Sequence, residues 1–140
     1  MTGWHLVRLQ DAAPQPWRNG GGQTRELLAW SPDGGGPADG DWALRGSVAQ
    51  IARDGPFSAF PGVARWFVVL QGAGVRLGLP DGERRLTPGD PPCGFAGEHA
   101  PACHLLDGPT LDLNLMGRRD RGRVHLRVLH SGDAVGPDGA

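Results

Sequence analysis

The sequence predicts an all-β domain, folded as a sandwich or a jelly-roll β-barrel, and three observations predict it. Gly or Pro interrupts every window that could otherwise run as a helix of useful length. Eight or nine short apolar runs recur along the chain at the spacing of strands in such a fold. Between those runs fall most of the 24 Gly and 13 Pro of the 140 residues, as tight turns require. A Gly and Pro share of about a quarter borders on low complexity. The 39% of hydrophobic residues and the five Trp nevertheless mark a chain with a core.

Taken in order, Trp4 to Leu9 alternates as an edge strand, and Pro14 and Pro16 end it. Asn19 is followed by Gly20, Gly21 and Gly22, a loop free to adopt positive φ or to approach another group closely, before Thr24 to Trp30 resumes as a strand. Ser31 to Asp41 is low in complexity and reads as a hairpin loop. Trp42 to Ile51 is a strand with Leu44, Gly46, Val48 and Gln50 on one face and Arg45, Ser47, Ala49 and Ile51 on the other. After the corner Asp54 to Gly62 come strands over Trp66–Leu70 and Val75–Leu79, then Ala102–Leu106 and Thr110–Met116, and finally Val124–Leu129. The expected domain covers 1–130, with a frayed polar tail over 131–140.

The formal net charge is −1 and every basic residue is Arg, so there is no broad positive field for nucleic acid or an anionic membrane. The run Arg118 to Arg123 reads as a solvated loop. No apolar stretch approaches the ~18 residues of a membrane span. Cys93 and Cys103, with no secretory signal ahead of them, fit reduced thiols and a cytoplasmic location.

Four blocks then stand out in order. They are Pro16-Trp17-Arg18-Asn19-Gly20-Gly21-Gly22 with Thr24-Arg25-Glu26-Leu27; Arg45-Gly46-Ser47-Val48-Ala49; Asp54-Gly55-Pro56-Phe57-Ser58-Ala59-Phe60-Pro61-Gly62-Val63-Ala64-Arg65; and Phe95-Ala96-Gly97 with Asp107-Gly108-Pro109 through Leu113-Asn114-Leu115-Met116-Gly117-Arg118-Arg119. Together they resemble the HutD/Ves family. The resemblance implies a cupin-type jelly-roll β-barrel whose second half is cut short, since family members continue further beyond the Met-x-Arg-Arg block. It also implies a small-molecule-binding or regulatory protein associated with bacterial histidine utilisation, with a carboxylate or formylated metabolite as ligand. A homo-oligomer stays open.

Many cupins hold a metal through two His and one Glu before a Val-Leu-x-Gly turn, and a further His after a later turn. Laid on Val69-Leu70-Gln71-Gly72, that pattern puts the Glu position at Arg65, the His positions around Ser58 and Phe60, and the last His at Ala100. None is a metal ligand, and Arg65 would repel a cation. Cys93, His99, Cys103 and His104 match no finger or ribbon spacing. The expectation is a site without a metal and a protein without a cofactor.

On the strand Leu111 to Met116, the leucines share one face while Asp112, Asn114 and Met116 share the other. If the leucines pack, the polar face lines a cavity or meets solvent. With Arg45, Ser47 and the inward position of Arg65 they outline a pocket suited to a carboxylate or formyl group. The expected ligand-binding set is Asn19, Gly21, Thr24, Arg45, Ser47, Arg65, Asp112, Asn114 and Met116. Each has a plainer reading: Arg45 and Asp112 as an internal ion pair, Asn114 bonded to backbone, Trp17 as a core plug, and Phe57, Phe60 and Trp66 as core. Glu26, Asp54, Asp112 and His104 could act as acids or bases, but no nucleophile–base–orienter set is recognisable, and no catalytic residue is assigned. The expected function is metal-independent small-molecule binding; the alternative is a metal-independent cupin enzyme, an isomerase or hydrolase, acting in the same pocket. A protein-interaction module is a third reading.

Overall fold

The computed structural model describes residues 6–31 and 42–129. Among them ten strands pair, all antiparallel, into two sheets. The strands are β1 (Pro14–Pro16), β2 (Gly22–Trp30), β3 (Leu44–Ile51), β4 (Gly55–Pro56), β5 (Val63–Gln71), β6 (Val75–Leu79), β7 (Gly82–Leu86), β8 (Cys93–Ala96), β9 (Ala102–Leu105) and β10 (Thr110–Arg118). One sheet has the order β1-β2-β3-β10-β5-β8 and the other β4-β9-β6-β7.

The expected closed jelly-roll barrel does not form. Each sheet ends in two edge strands, and no ladder joins one sheet to the other among the described residues. Closure needs an unbroken ring of backbone hydrogen bonds. Here β4 is a two-residue strand, and β1 carries Pro14 and Pro16, which have no N–H to give to a further neighbour. The result is an open sandwich. Its core brings Ala49, Ile51, Phe67, Val69 and Cys93 of the larger sheet against Val75, Leu77, Leu86 and Cys103 of the smaller. Phe67, Val75 and Leu77 have no exposed surface at all.

Several local expectations change. Leu6 to Arg8 is not a strand and Leu9–Asp11 is a 3₁₀ turn, so the edge strand is the Pro14–Pro16 segment that was expected to end one. An edge strand tolerates Pro because one of its sides needs no donor. Val124 to Leu129 forms no strand; it lies along the outer face of β5, where the Trp66 indole donates to the Val124 carbonyl at 3.0 Å. The basic run is structural. Arg118 donates to the Trp42 carbonyl and stacks 4.7 Å over its ring, and Arg119 holds Glu98 and the Val63 carbonyl. The loop over 32–41 and the tail over 131–140 lie outside the described residues.

The two faces of β10 are allotted as expected but packed the other way round. Asp112, Asn114 and Met116 are buried and face the smaller sheet, whereas Leu111, Leu113 and Leu115 are half-buried on the outside. Strand register assembles the inner face in rows: Arg45–Met116–Arg65–Phe95, then Ser47–Asn114–Phe67–Cys93, then Thr24–Ala49–Asp112–Val69. Each row holds two polar and two apolar side chains; the two arginines stand in the first and the Asp112 carboxyl in the third.

Asp112 lies in the deeper part, fully buried, with the Thr110 hydroxyl donating to Oδ2 at 2.7 Å and Oδ1 without a partner. Burial pushes its carboxyl up to about 7, and the Thr110 bond only partly opposes this. The carboxyl therefore holds a proton more tightly in the fold than in the unfolded chain. Folding takes up a proton between about pH 4 and 7, so stability falls as pH rises through that window and levels above it. Urea denaturation from pH 4.5 to 8 should show a decline of roughly 2–4 kcal/mol from this group. Asp112→Asn should flatten that slope and exceed the parent protein at pH 8; parallel slopes would contradict the assignment.

The glycine triplet divides its labour. Gly20 has φ +73°, which only glycine adopts without strain. At Gly22 an added Cβ would sit 2.2 Å from the Gln50 carbonyl oxygen and about 3.0 Å from the Trp17 ring. Gly22→Ala should lower stability by ~1–3 kcal/mol in thermal or urea melts, the usual cost of overpacking. A loss below 0.5 kcal/mol would show that the β2–β3 contact can relax.

Candidate functional site

Part of the inner face of the larger sheet and the two loops beside it enclose a cavity of about 390 Å³. Its floor is strand: Arg45, Ser47, Ala49 and Ile51 from β3, Asn114 and Met116 from β10, and Arg65 from β5. Its rim is loop: Trp17 to Gly21 on one side and Arg53 to Ser58 on the other. The alternation of β3 and β10 puts these polar side chains inward, and the antiparallel register places them beside one another.

Arg65 is the centre of the site. It is 6% exposed, yet no carboxylate among the described residues pairs with it. Its Nη2 donates to Asn114 Oδ1 at 3.0 Å and its Nη1 to the Ser58 carbonyl at 3.3 Å, while Nε is buried without a partner. The rings of Phe57, Phe60 and Phe95 lie 5.2, 5.4 and 5.2 Å from the guanidinium carbon. Burial, with Arg45 adding repulsion, lowers its pKa to about 10, so the group stays cationic at neutral pH.

The loops are held by specific bonds. The Trp17 indole donates to the Thr24 hydroxyl at 2.7 Å, and the Gly21 amide donates to Asn19 Oδ1 at 2.8 Å. From the opposite rim Arg53 Nη2 donates to the Gly20 carbonyl at 3.0 Å. Asp54, also on the rim, accepts the Leu105 amide at 2.8 Å and lies 3.4 Å from His104 Nδ1; the amide bond, then His104, lowers its pKa.

The structure thus brings Asn19, Gly21, Thr24, Arg45, Ser47, Arg65, Asn114 and Met116 to one cavity. Asp112 does not line it; it is fully buried between Ala49 and Val69 of the core. It forms no ion pair with Arg45, which instead pairs with Glu26 across β2 and β3 at 2.8 Å. Asn114 bonds to Arg65 rather than to backbone, and Trp17 packs on the core while its edge lines the cavity. Phe57 and Phe60 form an aromatic wall; Trp66 faces outward. Missing from the expected set were Arg18 and Arg53. Arg53 carried a signal, for it continues the inward series Arg45, Ser47, Ala49 and Ile51.

Ser58, Phe60 and Arg65, at the positions where metal-binding cupins place ligands, do meet in this cavity. Their chemistry does not fit a metal, since a buried guanidinium occupies the place of a carboxylate. Among the described residues no three His, Cys, Asp or Glu side chains stand close enough to share an ion.

Comparison with known proteins places this architecture. An uncharacterised 21.2 kDa protein in the hutC 3′ region of Pseudomonas putida is 42% identical over 130 residues, covering 91% of this chain and 65% of that protein. Protein Ves of Citrobacter koseri is 39% identical over 113 residues, covering 80% of this chain and 56% of that one. The chain thus spans between half and two thirds of the length of these curated relatives. The solved structure of HutD from Pseudomonas fluorescens SBW25, in a formate condition, superposes with a TM-score of 0.68 at 34% identity, over 81% of this chain and 60% of that one. A cupin_2 domain of an XRE family transcriptional regulator from Enterobacter cloacae superposes with a TM-score of 0.53 at 17% identity, which speaks to the fold alone. The family model for HutD matches residues 9–136, nearly the whole chain, and the chain belongs to the HutD family, which includes the Ves proteins.

Proposed function

We propose that the protein binds a small carboxylate or formylated metabolite in the cavity around Arg65, without a metal and without turning it over. The observation that carries this reading is the buried guanidinium with an unpartnered Nε and, among the described residues, no carboxylate beside it. A buried charge is costly unless it is paired and fully hydrogen-bonded. An oxyanion or a formyl oxygen would supply the missing acceptor, and the charge-assisted bond to a carboxylate is about twice as strong as a neutral one. The Asn114 amide and the Ser47 hydroxyl lie close by to complete the recognition. The aromatic rings exclude water around the guanidinium and strengthen both interactions.

A link to histidine utilisation is supported by the relatives named HutD and the one beside hutC, and the ligand is then sought among the carboxylates of histidine breakdown. The same reading places the protein in the cytoplasm, where the free thiols of Cys93 and Cys103 stay reduced. An enzyme working in this pocket is the second reading. The acid–base pair on its rim is Asp54 with His104.

Thermal shift and calorimetry with formate, acetate, an N-formyl amino acid and the histidine-pathway carboxylates provide the test. At least one should raise the melting temperature, and Arg65→Gln should abolish the shift while remaining folded by circular dichroism. A shift that survives in Arg65→Gln, or no shift with any compound, overturns the reading. Disappearance of the compound by NMR would move the protein to the enzyme class.

A further inference from the structure

We infer that the cavity takes an elongated dianion held at both ends, one carboxylate by Arg65 on the floor and the other by Arg18 and Arg53 at the mouth. This rests on the carboxylate reading and extends it from a single group to the whole ligand. Four guanidinium groups line the cavity (Arg18, Arg45, Arg53 and Arg65) against the one carboxylate of Asp54. Arg45 is neutralised by Glu26 at 2.8 Å, and Asp54 is engaged by the Leu105 amide and His104. Arg18, Arg53 and Arg65 are left without a carboxylate among the described residues.

These three cations lie at two levels. Arg65 is buried in the first row, beside Met116 and Arg45, while Arg18 and Arg53 are exposed on the facing rim loops. Along β3 the inward positions run from Arg45 to Ile51 before reaching Arg53. At ~3.3 Å per residue those six steps alone amount to ~20 Å of strand. Two long Arg side chains shorten the gap, but a ligand bridging it still needs several methylenes between its charges. The wall between the two ends suits such a chain, because Ala49, Ile51 and Phe57 line it. Arg53 spends its present bond on the Gly20 carbonyl, a neutral acceptor that a carboxylate outcompetes.

Calorimetry with straight-chain monocarboxylates and α,ω-dicarboxylates of equal carbon number, from four to eight carbons, tests the inference. A dicarboxylate of intermediate or greater length should bind about tenfold more tightly than its monocarboxylate partner. The Arg18→Gln/Arg53→Gln double variant, altered only at exposed positions, should bring the dicarboxylate down to the monocarboxylate's affinity. Arg65→Gln should weaken both. Monocarboxylate binding with no dicarboxylate advantage at any length, or an advantage that survives the double variant, overturns the two-ended ligand and leaves the carboxylate reading standing. Binding of neither class overturns both.

Discussion

A guanidinium that is 6% exposed and lacks a counter-charge has to be kept tolerable by its surroundings, and much of the inner face of this sandwich is arranged to that end. Asn114 can reach Arg65 only because β10 and β5 pair in a register that puts Met116 opposite Arg65 and Asn114 opposite Phe67. Phe57 and Phe60 reach it because the segment after β3 folds over the sheet, tied by β4 to β9 and by the Phe57 amide to the Pro101 carbonyl. Phe95 reaches it because β8 pairs with β5 opposite Arg65. Aromatic faces offer a cation partial compensation without quenching its charge. A carboxylate in the same place would have formed a closed ion pair and left little attraction for a ligand.

The inner face of the larger sheet carries both the core residues Ile51, Val69 and Phe67 and the cavity residues Arg45, Met116 and Arg65. Its apolar side chains supply burial, at about 25 cal/mol per Å² of apolar surface. Its polar side chains at the cavity contribute recognition.

Strand period two made much of this readable in advance. The division of β3 and β10 into two faces followed from alternation alone, and so did the grouping of Arg45 with Ser47 and of Asp112 with Asn114. Packing direction did not follow. A leucine face normally marks the core, but Leu111, Leu113 and Leu115 lie on the outer side of the larger sheet, and the chain from Val124 onward covers part of that side instead of pairing as a strand. Depth was equally hidden. Asp112 and Asn114 are two residues apart on one face, and that single row separates a carboxyl in the core from an amide at the cavity. Arg45 found Glu26 rather than Asp112 because Glu26 stands opposite Ser47, the inward position next to Arg45, whereas Asp112 stands opposite Ala49, one position further; that register is not encoded by alternation. The strand Gly82–Leu86 escaped notice for a related reason: at the sheet edge its Glu83, Arg84 and Arg85 are all exposed and show no apolar period.

Two buried ionisable groups two rows apart show how the same low-polarity interior yields opposite outcomes. Asp112 has one hydrogen bond and no cation, so the cheaper state is the protonated one, and its pKa rises to about 7. Arg65 has no such escape, because a fall to about 10 still leaves it charged at neutral pH. A carboxyl in the core can become neutral and cease to attract anything; a guanidinium cannot. The position at which a metal-binding cupin would carry an anionic ligand for its ion therefore carries a permanent cation belonging to the protein, surrounded by neutral partners. An anion entering this cavity meets a positive charge that is fixed by covalent attachment, already desolvated, and short of one acceptor.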